Sequence, residues 1–385
     1  MRVAAYSDLE YFAQEGRVVT EESFLVFMTE LRTSFTSLVV LGRLRDEPGV
    51  SGAYSVPEGV EFVALPDYPS LSRPLGALRA ARGTLRAFRR VLERVDAVWL
   101  LGPHPFAIAF AVQALARRRT VVLGVRMDFP AHMRARHPRR PWLAGAAALL
   151  DAAWRALARR APVVAVGGEL ARRYRSARRV LTIDVSLVRA AQITTPARSR
   201  EGHQPGAPFR VLSVGRVDPE KNPLLLADVL AGLVARGVDA RLVVCGRGSE
   251  LEALSERLRE LGVADRAELR GFVGGDELAA LYRSSDAFLH VSWTEGAPQV
   301  LLEAFAAGLP VVATAVGGVA EQAADAALLV APGRADEAAE ALARLAAEAS
   351  LRERLAEHGR ARVRERTLEA EAGRVARFIA EAAHA

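Results

Sequence analysis

The stretch RVLSVGRVDPEKNPLLLADVLAGLVARGVDARLVVC, Arg210–Cys245, changes its pattern twice. Arg210–Val214 is a short apolar run of strand character, Gly215 turns the chain, and a polar loop bordered by prolines follows. From Pro223 to Ala235 the residues are helical in type, and Arg241–Cys245 is a second β-branched run. A helix carried between two strands lays them parallel and side by side. The expected architecture is therefore α/β, with ligands bound where loops leave the carboxyl ends of the strands.

The same alternation runs in both directions. Downstream, strands are expected at Glu268–Phe272, Ala287–His290 and Val311–Ala313, with helices near Ser249–Leu261, Asp276–Tyr282 and Pro298–Ala307. Upstream, strands are expected at Arg2–Tyr6, Leu38–Leu41, Glu61–Leu65, Ala97–Leu101, Thr120–Gly124 and Val163–Val166. Helices fill Glu21–Ser34, Pro74–Arg94, Pro105–Ala116 and Trp142–Arg160. Between the two series lies TTPARSREGHQPGAP, Thr194–Pro208, with three prolines, two glycines and no apolar period. It reads as a linker. The expected division is a doubly wound α/β domain over 1–193, a linker over 194–208 and a second doubly wound domain over 209–366. A last amphipathic helix over 367–385 is expected to pack back on the first domain.

Composition narrows the class. In 385 residues, 51% are hydrophobic and 25% charged, enough to bury sizeable cores and too mixed for a disordered or fibrous chain. The single cysteine, Cys245, excludes an internal disulfide framework and a multi-cysteine metal site. The start, MRVAAYSD, has no apolar leader, so a cytoplasmic location is expected. Residues 1–200 hold 31 Arg against 17 acids, a balance of +14, whereas residues 201–385 carry −7. Halves of opposite sign point to two domains with different partners. Of 52 basic side chains only Lys221 is lysine, which suggests a position that needs a compact ammonium.

Two segments carry chemistry. In VLSVGRVDPEKNP, Arg216 and Lys221 leave the end of a strand five residues apart, a pair of cations suited to a diphosphate. In WTEGAPQVLLEAFAAGLPVVAT, Trp293–Thr314, Pro298 fits the first helical position. The amides of Gln299 and Val300 would then face an anion at the helix start. Glu303 shares their face among apolar neighbours, a costly place for an idle carboxylate and a good one for two vicinal hydroxyls. Glu295 precedes the helix and can reach the next ring along.

These residues resemble the donor site of family 4 glycosyltransferases. EGAPQVLLE, from Glu295 to Glu303, has that family's E-x7-E spacing; AAGLPVVAT and the VGG at Val316–Gly318 extend the match. GRVDPEK, Gly215–Lys221, is similar to its arginine–lysine segment. The GRG turn at Gly246–Gly248, the RGFV at Arg270–Val273 and SDAFLHVS at Ser285–Ser292 follow in the expected order. The resemblance implies a GT-B fold, two Rossmann-like domains with a donor-binding cleft between them. It implies that Arg216 and Lys221 neutralise the donor diphosphate beside Gly215, and that Glu303 holds the ribose while Glu295 contacts the sugar. Backbone at Phe272 and Val273 lines the base, and the turn through Gly296, Ala297, Gln299 and Val300 cradles phosphate and sugar. The implied reaction is retaining transfer from a nucleotide diphosphate sugar, UDP-hexose favoured, to a lipid-linked or polysaccharide acceptor, with no metal and no further cofactor. No D-x-D triplet occurs in the chain, against a metal-dependent GT-A enzyme.

In the first half, His104 follows the strand AVWLL and is either a contact near the donor sugar or the cap of the next helix. Arg126 and Asp128, in GVRMD, are contacts to the acceptor or the leaving group, or solvated loop charges. Asp8 and Glu10 are expected after the first strand, where many relatives have a Gly-rich loop. Arg134–Arg160 holds seven arginines with Trp142 and Trp154. It is a sheet-covering helix or a peripheral contact with an anionic membrane face. A nucleotide-sugar epimerase or hydrolase of the same fold is the alternative reaction. A non-catalytic nucleotide-sugar or nucleic-acid binder is the alternative class, although no nucleic-acid motif is present.

Overall fold

The computed structural model describes residues 1–45, 54–68, 74–136, 140–194 and 206–384. It divides into two compact units, Met1–Leu187 with Leu368–Ala385, and Val188–Thr367. Residues 195–205, most of the expected linker, lie outside the described residues.

Unit 1 begins with β1 (Arg2–Gln14), β2 (Arg17–Thr20), α1 (Phe24–Glu30), β3 (Ser37–Arg45), β4 (Tyr54–Ser55) and β5 (Val60–Leu65). It continues through α2 (Pro74–Leu92), β6 (Ala97–Gly102), α3 (Pro105–Ala116), β7 (Thr120–Val125), α4 (Phe129–Arg136) and α5 (Pro141–Ala158). The last elements before unit 2 are β8 (Val163–Val166), α6 (Gly168–Arg173) and β9 (Val180–Ile183). The parallel strands run in the order β5-β3-β1-β6-β7-β8-β9. Central β6, AVWLLG, is buried over its first five residues because helices cover both faces, which is why it reads as an unbroken apolar run.

Unit 2 repeats the plan. Its elements are β10 (Phe209–Val214), α7 (Leu224–Ala235), β11 (Ala240–Cys245), α8 (Leu251–Glu260), β12 (Ala267–Gly271) and α9 (Gly275–Arg283). There follow β13 (Ala287–His290), α10 (Gln299–Ala306), β14 (Val311–Thr314), α11 (Val319–Ala323), β15 (Ala327–Val330), α12 (Ala335–Ala347) and α13 (Ala349–Arg364). The strand order is β12-β11-β10-β13-β14-β15, all parallel. The chain then returns to unit 1 as α14 (Leu368–His384), packed on α1, β7 and β9.

Three expectations change. The first strand does not stop at Tyr6: β1 continues to Gln14, pairing with β3 as far as Phe12 opposite Arg45 and folding back on β2. Asp8 and Glu10 are therefore strand residues. The unbroken apolar run ends at Tyr6 because beyond it burial alternates, as in a strand covered on one face. Pro298 caps α10 from extended backbone and the helix starts at Gln299. Trp154 is fully buried, placed with Ala147, Asp151 and Ala158 on the sheet-facing side of α5, so only Trp142 of the two tryptophans faces outwards. Among the described residues no helix is long and apolar enough to cross a membrane.

Packing within unit 2 braces the helix that carries the E-x7-E segment. Gly359 on α13 lies against Phe305 on α10, and a Cβ there would fall 2.7 Å from the ring. Gly359→Leu overpacks this contact, at a typical cost of about 1–3 kcal/mol. The melting temperature should fall by several degrees in calorimetry; an unchanged value would show that α13 does not brace α10.

Candidate active site

Because all strands of unit 2 are parallel, the segments after them share one edge. Close backbone contact holds these segments together. A Cβ on Gly246 would lie 1.7 Å from the Gly215 carbonyl, and one on Gly317 1.8 Å from the Glu295 carbonyl. Gly317 also has φ +49°, a conformation that favours glycine, so the VGG after β14 can press on the Glu295 loop. The amide of Trp293 donates to the Glu220 carbonyl at 2.9 Å, tying the loop after β13 to the loop after β10.

On that edge Glu295 Oε1 meets three polar groups. Lys221 Nζ lies at 2.5 Å, Ser292 Oγ at 2.7 Å and His290 Nε2 at 3.0 Å. His290 and Ser292 are buried, and the Glu295 side chain is only 9% exposed. Burial alone would raise the Glu295 carboxyl, but the His290 hydrogen bond and the Lys221 charge outweigh it and hold the pKa down to about 2. Among the described residues Oε2 has no hydrogen-bonding partner. One oxygen is fastened and the other is open.

Arg216 is placed differently from its expected partner Lys221. Its exposed guanidinium is held by Asp218 at 2.9 Å and Glu220 at 2.5 Å. Glu303 is half-buried and accepts a hydrogen bond from Tyr282 Oη of α9 at 2.9 Å. Burial raises the Glu303 pKa despite this bond, and it raises Tyr282 well above the usual phenol range. Phe272 stands 59% exposed with the Arg247 guanidinium 5.8 Å over its ring, whereas Val273 turns into the core. Gly296, Ala297, Gln299 and Val300 form the turn and first residues of α10, beside the Lys221–Glu295 pair.

In unit 1 the capping reading of His104 holds. Nδ1 accepts from the Phe106 amide at 3.3 Å, which assigns the ring proton to Nε2. Nε2 faces Tyr68 Oη at 3.0 Å and Asp8 Oδ2 at 3.3 Å. Tyr68 and Tyr6 both donate to Asp8 Oδ1, and the Arg43 guanidinium lies 3.1 Å from that carboxylate. Burial is the main influence lowering the His104 pKa; Asp8 opposes it and Arg43 adds to it. The ring is thus buried and engaged at both nitrogens. Asp128 accepts from the Ala131 amide and from Arg173. Arg134 and Arg140 are exposed, while Arg139 lies outside the described residues.

The sequence reading passed over His290, Ser292 and Tyr282. The first two alternate at the end of an apolar strand in LHVS, and a histidine and serine ending a buried run are the available signal. Tyr282 reaches Glu303 from another helix, so no local spacing reveals it.

Two doubly wound units, the second gathering a lysine and two carboxylates on its carboxyl edge, define a GT-B type α/β protein. Residues 196–362 match the family described as Glycosyl transferases group 1, and that segment is similar to family 4 glycosyltransferases. D-inositol 3-phosphate glycosyltransferase of Actinosynnema mirum is 42% identical over 154 residues, 37% of this chain and 37% of the relative. The GDP-mannose-dependent alpha-(1-6)-phosphatidylinositol monomannoside mannosyltransferase of Mycobacterium tuberculosis is 35% identical over 139 residues, 34% of this chain and 35% of that one. The chain thus spans about a third of the length of these curated relatives. Across the whole chain the fold is similar to that of sucrose-phosphate synthase from Thermosynechococcus elongatus, at TM-score 0.78 and 17% identity over 99% of this chain and 98% of that one. It is also similar to Anabaena HepE in complex with UDP, at TM-score 0.74 and 17% identity over 99% and 100%.

Glu295→Gln removes a carboxylate from beside Lys221, so the affinity for a free nucleoside diphosphate should rise severalfold in calorimetric titration, while Lys221→Ala lowers it. The same substitution should alter acid stability. With its folded pKa depressed, Glu295 contributes fully above the ordinary value near 4.5, and the contribution fades as pH falls through about 2. It is worth on the order of 3 kcal/mol. An acid melting profile unchanged in Glu295→Gln would contradict the pairing.

Proposed function

We propose that this chain is a retaining, metal-independent glycosyltransferase that moves a sugar from a nucleotide diphosphate sugar to an acceptor. The observation that carries the reading is the contact of Lys221 with Glu295 at 2.5 Å, which joins two separate segments of a glycosyl transferases group 1 domain. Lys221 and the start of α10 stabilise the negative charge that grows on the leaving diphosphate oxygen, with Arg216 turning from Asp218 and Glu220 to assist. One such preorganised donor is typically worth about 100- to 1,000-fold in rate. Glu295 Oε2 accepts from a hydroxyl of the transferred sugar, and Glu303 accepts from the ribose. Phe272 with Arg247 offers the base a flat, cationic edge. His104, engaged at both nitrogens, is a positioning residue for Asp8 and Tyr68.

UDP-hexose is the favoured donor. Similar structures of Anabaena HepE hold UDP and UDP-glucose, whereas the mycobacterial relative is named for GDP-mannose. Labelled UDP-, GDP- and ADP-sugars, each with and without EDTA, should show transfer from UDP-hexose that persists in EDTA and keeps the anomeric configuration. Loss of transfer in EDTA overturns the metal-independent reading. Release of free sugar or an epimer without transfer overturns the reaction itself.

A lipid-linked acceptor fits the basic first half. The exposed Arg134, Arg140 and Trp142 are the side chains expected to meet an anionic bilayer. Each arginine near such a surface adds about 1 kcal/mol, screened beyond about 8 Å at physiological salt. Sedimentation should show binding to anionic but not neutral vesicles, weakened by salt and by neutralising Arg134 and Arg140. No preference at low salt would leave a soluble or polysaccharide acceptor as the better reading.

A further inference from the structure

Tyr282 stands in the last turn of α9 and Glu303 in the second turn of α10, both within unit 2. The phenol donates to Glu303 Oε2 at 2.9 Å, and its ring stacks on Phe288 of β13 with 5.8 Å between centroids. Tyr282 is buried, so its hydroxyl has to find a partner inside the fold. The other carboxylate oxygen, Oε1, has no hydrogen-bonding partner among the described residues and is not sealed from solvent.

A phenol needs only an acceptor, and a main-chain carbonyl would serve. The nearby Ser285 hydroxyl finds one in the Leu281 carbonyl at 2.7 Å. A carboxylate withdrawn from water is a far costlier partner. Its presence here points to a task for Glu303 that Tyr282 supports. Held at one oxygen, the carboxylate cannot swing about its terminal bonds, so the direction of the free oxygen is fixed. The same bond acts on charge. Burial raises the Glu303 carboxyl and the Tyr282 bond pulls it back, the one titratable group acting on it among the described residues. Cys245, at the end of β11, acts on the phenol, and burial pushes its thiol up to about 11. Gly359, where α13 meets α10, carries no charge.

We propose, on the reading of Glu303 as the ribose acceptor, that Tyr282 is a positioning residue for nucleotide recognition, fastening one oxygen of Glu303 so that the other meets a ribose hydroxyl. Tyr282 acts through Glu303 alone. Its role is independent of the base, since ribose is common to uridine, guanosine and adenosine diphosphates.

UDP, GDP and ADP are titrated calorimetrically into the full chain. The tightest binder is carried through wild type, Tyr282→Phe, Glu303→Ala and the double variant. Phenylalanine keeps the stack on Phe288 and removes only the donor. Tyr282→Phe should weaken binding about tenfold at neutral pH. It should have no further effect in Glu303→Ala, because a residue that acts through another falls silent once that other is gone. The pH profile separates positioning from packing. Ionised Glu303 is the accepting form, so binding fades as pH falls through its folded pKa. Losing the Tyr282 bond raises that pKa, so the fade moves to higher pH, and the shift is absent in Glu303→Ala. Should Tyr282→Phe fail to fold, 3-fluorotyrosine placed at Tyr282 decides. It is nearly isosteric and a stronger donor, so the fade should move to lower pH. Equal affinity and an unmoved profile overturn the proposal, as does a loss that persists in full in the Glu303→Ala background. The donor reading survives either result if Glu303→Ala alone weakens binding. If wild type binds none of the three nucleotides, the donor reading fails and takes the role of Tyr282 with it.

Discussion

A carboxylate nearly withdrawn from water stays ionised only if donors are brought to it. In unit 2 they come from three places. Lys221 arrives from the loop after β10, His290 from the end of β13, and Ser292 from the residues just beyond it. Lys221 and Glu295 stand 74 positions apart, and they meet because β10 and β13 are sheet neighbours, Val211 beside Ala287 and Leu212 beside Phe288. The strand order reverses at that pair, which is where open α/β sheets leave a crevice for ligands. The glycines at 246 and 317 serve the same end, letting adjacent loops approach to distances that a Cβ would forbid.

Unit 1 has its own reversal, between β1 and β6, and a polar cluster lies there too: Tyr6, Asp8, Tyr68, Arg43 and His104. The two clusters differ in what they leave open. In unit 1 the histidine is engaged at both nitrogens and Asp8 is enclosed by two phenols and an arginine, so the group is satisfied internally. In unit 2, among the described residues, one carboxylate oxygen and the remaining ammonium hydrogens have no such partners. Fully satisfied buried networks rigidify a fold, whereas partly open ones can bind. The lengthened β1, which carries Asp8 and Glu10 within a strand instead of a loop, is what closes the unit 1 cluster.

Much of this was legible in the sequence. Runs such as AVWLL and RLVVC are unbroken because their strands are covered on both faces, and such strands announce themselves. The edge strands Val180–Ile183 and Ala327–Val330, only partly buried, carry a weaker pattern and were not foreseen. Lys221, Glu295 and Glu303 were legible as a group because their motifs have fixed spacing. The contact between Lys221 and Glu295 was not, since spacing within a motif says nothing about which loops a sheet order brings together. Nor was the buried state of Trp154, because an alternating Ala/Leu/Arg helix has the same composition whichever face it covers.

The solitary lysine finds its reason in the same geometry. Lys221 is three-quarters buried, and its ammonium must reach a single oxygen, Glu295 Oε1, already approached by Ser292 and His290. A guanidinium binds a carboxylate best through both oxygens, side by side. Placed here it would take Oε2 as well and displace the serine or the histidine. At other positions a planar fork serves the partners it meets, as Arg43 does with three carboxylates and Arg173 with two. A coding bias could turn those other positions to arginine at little cost. At 221 the requirement is a point charge that touches one oxygen and leaves its neighbour free.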